Sequence, residues 1–111
     1  MKKTIGTLAG IALIALSGQA YSADTAIGKK IYDRAFGRGC GTCHDIASNP
    51  QLTPLIKSGA LDRAKFEEVI TNGKGGMPKA LDVIMGLSFV EKKGLTKDQA
   101  LDDLYEYLKT R

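Results

Sequence analysis

The sequence predicts an all-α fold. Apolar residues recur at helical spacing in three separated stretches, capping residues stand at the heads of those stretches, and no segment shows the two-residue alternation of a half-buried strand. The first stretch runs from about Asp24 to Arg38. Ile27, Ile31, Ala35 and Phe36 fall on one helical face there, Asp24 is placed to cap the first turn, and Gly37 and Gly39 end the run before Cys40. From Ile46 to Leu61 the pairs Asn49-Pro50, Thr53-Pro54 and Ser58-Gly59 carry turn chemistry, which predicts a loop.

Asp62 caps a second expected helix over Arg63 to Asn72, with Phe66, Val69 and Ile70 as its apolar stripe and Gly73 at the left-handed stop. The segment Gly73-Lys74-Gly75-Gly76-Met77-Pro78 cannot extend that helix, because glycine favours irregular backbone and proline biases Met77 toward an extended conformation. Met77 is therefore expected on a loop. Leu81 to Met85 suggests one helical turn. Thr96-Lys97-Asp98-Gln99 has the form of a capping box and introduces Leu101, Leu104, Tyr105 and Leu108 at i, i+3, i+4 and i+7, the best-signalled helix of the chain. With no repeat, low-complexity tract or proline-rich linker, one compact unit is expected.

Residues 1–23 read as a cleaved secretion signal and 24–111 as the working domain. Met1-Lys2-Lys3 gives a positive start, Ile5 to Leu16 an apolar stretch, and Ser17 to Ala23 a run of mostly small residues suited to a signal peptidase. The apolar stretch falls short of the roughly 20 residues that cross a bilayer, so no stable membrane span is expected. Cuts after Ala20, Ser22 or Ala23 are all candidates. The first two put small residues one and three before the scissile bond, whereas the third puts Tyr21 there. Export of this kind predicts a periplasmic protein.

Loss of Lys2 and Lys3 leaves 14 of the 16 basic side chains against 12 acidic, a net charge of +2 in place of +4. That balance, without a dense basic cluster interleaved with aromatics, gives no support for nucleic-acid binding. With 3 Phe, 4 Tyr and no Trp, so short a domain buries a modest core and calls for a staple. The 2 cysteines lie too close together in sequence to cross-link distant segments.

Cys40-Gly41-Thr42-Cys43-His44 offers another staple. Two thiols two residues apart with an imidazole directly after them form the pattern of covalent c-type haem attachment: the sulfurs reach the two vinyl groups on one side of a porphyrin, and the next side chain turns under the ring to the iron. A redox dithiol would sit near a βαβ pattern that the chain lacks. A structural zinc needs four ligands where two Cys and the single His supply three. A plain disulfide is the remaining alternative.

Because His44 is the only histidine, a second axial ligand within the chain is Met, Lys, Tyr, water or nothing. After signal removal the methionines are Met77 and Met85. Met77 stands among polar residues and glycines with no packing reason to be apolar, whereas Met85 belongs to an apolar run and reads as a core side chain lining a pocket wall. Met77 is the expected ligand, and a thioether opposite imidazole favours reduced iron.

Over nearly all of residues 24–111 the sequence resembles the small bacterial class I c-type cytochromes, the monohaem cytochrome c family. The resemblance rests on Gly28-Lys29-Lys30-Ile31-Tyr32, on Cys40 to His44, on Asn72-Gly73-Lys74-Gly75-Gly76-Met77-Pro78 and on Leu104-Tyr105-Glu106-Tyr107-Leu108. It implies a cytochrome c-like fold of three to five helices around one covalently bound haem c with its iron. In such a fold the first and last helices cross, setting Gly28 and Tyr32 against Leu104, Tyr105 or Leu108. Arg34-Ala35-Phe36-Gly37 is surplus to the family's usual spacing, and Lys79 to Gly94 is longer than in its smallest members, room for an extra loop or helix.

The expected function is periplasmic electron transfer, one electron at a time. No substrate base or nucleophile is apparent, and ligation by His44 and Met77 leaves no open position for a substrate, so no enzyme activity is expected. The expected partners are redox proteins acting as donor and acceptor: a dehydrogenase, an oxidase or a reductase. An alternative is a haem c subunit of a periplasmic dehydrogenase or oxidase complex; a third reading, a gas-binding or peroxidatic haem, needs an exchangeable sixth position. Lys57, Lys74 and Lys79 are candidates to flank an exposed haem edge and steer an acidic partner, or form an ordinary charged surface.

Overall fold

The computed structural model describes residues 21–111. Of the expected signal, residues 1–20 lie outside the described residues. Three helices of ten or more residues form the frame: α1 (Thr25–Arg34), α4 (Arg63–Asn72) and α7 (Lys97–Thr110). Four short ones fill between them: α2 (Gly41–His44), α3 (Leu52–Lys57), α5 (Leu81–Met85) and α6 (Ser88–Lys93). Among the described residues there is no strand, only an isolated bridge between Lys74 and Met77. No helix of the described residues is long and apolar enough to cross a membrane.

Local chemistry sets the helix starts where the sequence places them. The Asp24 carboxylate accepts from the amides of Ala26 at 2.9 Å and Ile27 at 3.2 Å, and that of Asp62 from Lys65 at 2.8 Å. Both halves of the capping box form at α7: Gln99 N–H donates to Thr96 Oγ1 at 3.1 Å, and Thr96 N–H to Gln99 Oε1 at 3.0 Å. Each satisfies amides that the first helical turn would leave without partners.

Two expectations are corrected. Helix α1 stops at Arg34 and tightens into a 3₁₀ turn over Ala35–Gly37, so Phe36 does not continue the buried stripe. Its φ of 61° lies in the left-handed region, and the reversal leaves the ring 42 % exposed while Ala35 stays buried. The expected loop from Ile46 to Leu61 contains helix α3. Pro54 is tolerated in it because the first turn needs no amide there, and Thr53 Oγ1 donates to the Leu108 carbonyl at 2.7 Å, tying α3 to α7. Six residues are too few for a period to show in the sequence.

The core forms where α1 crosses α7. Ile31, Leu101, Leu104 and Leu108 are buried there, joined by Ile84 of α5 and by Phe66 of α4, whose ring meets Tyr105 edge-on at 5.2 Å. At Gly28 the backbones touch: an added Cβ would lie 2.0 Å from the Asp103 carbonyl oxygen and 2.7 Å from Tyr107 Cβ. The expected crossing is present. Its nearest partners at Gly28 are Asp103 and Tyr107, and Tyr32 stacks obliquely on Tyr107 at 5.9 Å, while Leu104 and Leu108 belong to the common core.

Candidate functional site

The Cys40 to His44 segment is held by the α1–α7 frame. Cys40 N–H donates to the Tyr32 carbonyl at 2.7 Å, hanging the start of α2 from the end of α1. One helical turn follows, closed by His44 N–H to the Cys40 carbonyl at 3.0 Å. Both thiols are free, Cys40 half-buried and Cys43 exposed. Burial pushes the Cys40 thiol up to about 11, so it stays protonated at neutral pH. A dithiol redox centre needs the opposite, a thiol depressed toward neutrality.

The loop after α2 orients the imidazole. His44 Nδ1 lies 3.0 Å from the Pro50 carbonyl oxygen, an atom that can only accept, so Nδ1 carries the proton and Nε2 keeps its lone pair for a metal. The loop is laced by its own side chains: Gln51 Nε2 donates to the carbonyls of Ile46 at 2.8 Å and His44 at 2.9 Å, and Asn49 Nδ2 to that of Cys43 at 2.8 Å. Asn49-Pro50 marks a turn in the sequence, but nothing in it says that the Pro50 carbonyl faces the imidazole.

A second support, absent from the sequence reading, joins three distant segments beside His44. Tyr32 Oη and Arg111 Nη2 both donate to Asp45 Oδ1 at 2.8 Å, and the guanidinium lies over the Tyr32 ring at 4.7 Å. The Tyr32 hydroxyl bond, with Arg111 beside it, holds the Asp45 carboxyl below the usual carboxylate range. Burial and the bond to Asp45 raise the Tyr32 phenol to about 12, against the opposing pull of Arg111.

Met77 closes the tight turn Lys74-Gly75-Gly76-Met77, in which the end residues exchange backbone hydrogen bonds at 2.9 and 3.0 Å. Gly73 makes this possible. Its φ is 76°, and a Cβ there would stand 2.8 Å from the Met77 carbonyl oxygen. Ala80 N–H donates to the Ile70 carbonyl at 2.8 Å and fastens the far end of the loop to α4. Met77 is half-buried against the core, as are Leu52, Leu61, Leu81 and Met85.

The two described clefts lie elsewhere in part. One, lined by His44, Asp45, Leu52, Pro54 and Arg111, touches the imidazole; the other, lined by Tyr21, Ala23, Arg63 and Asp102, includes none of the expected site residues. Among the described residues no three His, Cys, Asp or Glu side chains gather as a metal cluster. Two free thiols, an imidazole with its Nε2 lone pair available, a loop thioether and half-wet apolar side chains fit an iron porphyrin, whose flat faces are apolar and whose iron takes nitrogen and sulfur donors.

Neither a curated protein nor a solved structure matches the chain. Residues 23–108, almost all of what the structure describes, match the family model for cytochrome c oxidase, cbb3-type, subunit III, and the chain belongs to that family of monohaem c-type cytochrome domains, with covalently bound haem c and its iron as the cofactor.

Proposed function

We propose that this protein is an exported, periplasmic carrier of single electrons, in which Cys40 and Cys43 hold haem c through thioether bonds and His44 and Met77 take the axial positions. The haem iron, when bound, supplies a one-electron couple. The chain's residues do the rest. Pro50 holds the proton on Nδ1 of His44, so that Nε2 serves as a neutral donor of settled orientation. Gly73 sets the turn that carries the Met77 thioether, a soft donor that favours the reduced state. Leu52, Leu61 and Leu81 would keep water from the ring faces, which lowers the local dielectric and limits reorganisation when charge changes.

The His44–Pro50 contact carries this reading, because a dithiol or disulfide protein has no use for an imidazole pinned in one tautomer beside its cysteines. The test is the visible spectrum of the oxidised holoprotein. A weak charge-transfer band at the red end, lost in Met77→Ala and kept in Met85→Ala, supports ligation by Met77; loss in Met85→Ala alone assigns the ligand to Met85.

Lys57, Lys74 and Lys79 are exposed and take part in no ion pair among the described residues, which suits a surface that steers an acidic redox partner such as a dehydrogenase, oxidase or reductase. Replacing all three with Gln is expected to slow electron transfer at low salt and flatten its salt dependence. The description of the matching family favours a second reading, a haem c subunit of an oxidase complex. Size-exclusion chromatography of the natural source separates the two: a free carrier elutes alone, a subunit with its enzyme.

A further inference from the structure

Asp103 sits in the α1–α7 crossing with 0 % exposure and no cationic partner: it is absent from every ion pair among the described residues. Its Oδ1 accepts from the Tyr21 hydroxyl at 2.5 Å and from the Asp24 backbone N–H at 2.7 Å. Its Oδ2 is buried without any hydrogen-bond partner. A buried carboxylate without a counter-charge is strongly unfavourable, and an unmet acceptor beside it adds to the cost. The surrounding charges make matters worse. Burial raises this carboxyl, and Asp24 at the head of α1 and Asp102 on α7 push the same way, against the two hydrogen bonds.

The nitrogen on Asp103 belongs to the stretch where the signal is expected to end. We propose that Asp103 is the counter-charge of the processed amino terminus: a cut after Ala23 turns the nitrogen of Asp24, already on Oδ1, into an α-ammonium seated on this carboxylate, with a proton for Oδ2. The inference rests on the export reading above. The cut is a hydrolysis by a signal peptidase; water gives its hydroxyl to the carbonyl carbon of Ala23 and a proton to the released nitrogen of Asp24, which at neutral pH takes up one more.

Such a cut removes the neutral Tyr21 phenol and puts a cation in its place. A cut after Ala20 keeps the phenol on Oδ1, sets the new ammonium at Tyr21 and leaves Oδ2 as it stands. An ammonium at a helix start opposes the helix dipole when alone. Here the carboxylates of Asp103 and Asp24 offset it, and the pair ties the head of α1 to the middle of α7 beside Gly28.

The test uses the holoprotein purified from the periplasm. Terminal sequencing and intact mass should find a chain beginning at Asp24; a start at Tyr21 or Ala23, or an uncut chain, overturns the proposal. Acylation of amines at neutral pH should label the α-amine of the native protein about tenfold more slowly than that of the denatured chain, as a pKa raised by one unit requires. Equal labelling also overturns it. The haem absorbance of the same sample reports on the electron-carrier reading separately, so the two can fail independently.

Discussion

Gly28→Ala is the substitution whose cost follows most directly from the geometry. The new methyl would stand 2.0 Å from the Asp103 carbonyl oxygen, 2.7 Å from its carbonyl carbon and 2.7 Å from Tyr107 Cβ. Two of those three atoms are helix backbone and cannot rotate away, so α1 and α7 must separate by more than an ångström. Overpacking a well-filled core costs about 1 to 3 kcal/mol, and a backbone clash belongs at the upper end. The better helix propensity of alanine returns about 1 kcal/mol at most. A net loss of about 2 kcal/mol is expected, which for a domain of this size lowers the melting temperature by roughly 8 to 16 °C. Guanidinium unfolding of the oxidised holoprotein, followed by far-UV circular dichroism, should show a lower midpoint at unchanged slope. A midpoint equal to that of wild type would refute the close crossing of α1 and α7. Thioether attachment should keep the unfolded variant coloured.

Other perturbations probe separate parts of the fold. Phe66→Ala removes a buried ring packed edge-on against Tyr105 and should cost about 3 to 5 kcal/mol, read as a lower denaturation midpoint. Thr96→Ala removes the Thr96 Oγ1 acceptor of the Gln99 amide, leaving the bond from the backbone N–H of residue 96 to Gln99 Oε1 in place, and should cost about 1 kcal/mol, with the haem spectrum unchanged. Asp45→Asn bears on acid stability. The Asp45 carboxyl is held below its usual range when folded, so its contribution is complete above the unfolded value of about 3.9 and is lost as pH falls through the folded one. The variant should therefore lose less stability than wild type below about pH 4 in an acid titration followed by circular dichroism.

What the sequence made legible was local. Asp24, Asp62 and Thr96 announce helix starts because a cap acts within three residues, and the stripe of α7 is long enough for its period to show. Cys40, Cys43 and His44 stand out in the sequence because the attachment chemistry proposed for them is written within five consecutive positions. Helix α3 escaped notice for the opposite reason: Thr53-Pro54 looks like turn chemistry, and the bond from Thr53 to Leu108 that stabilises the segment spans 55 residues. Phe36 shows tertiary structure overriding periodicity, since the chain must reverse before Cys40 can hang from Tyr32.

The supports of the site were the least legible. Pro50 acts through a carbonyl that every residue possesses, and Tyr32, Asp45 and Arg111 meet only after α1, α2 and the end of α7 have packed. The proposed donor residues can be named from the sequence, whereas the atoms that orient them depend on the fold. Asp103 belongs with these. Nothing in Leu101-Asp102-Asp103-Leu104 distinguishes the solvent-facing acid from the buried one until the α1 crossing is in place.

The most direct measurement is the mass of the mature protein, taken under denaturing conditions after expression with its haem-attachment machinery. The account predicts a chain carrying one haem that survives denaturation, with the attachment abolished in Cys40→Ala/Cys43→Ala. A mature wild-type chain without bound porphyrin, or a haem that dissociates on unfolding, would contradict it.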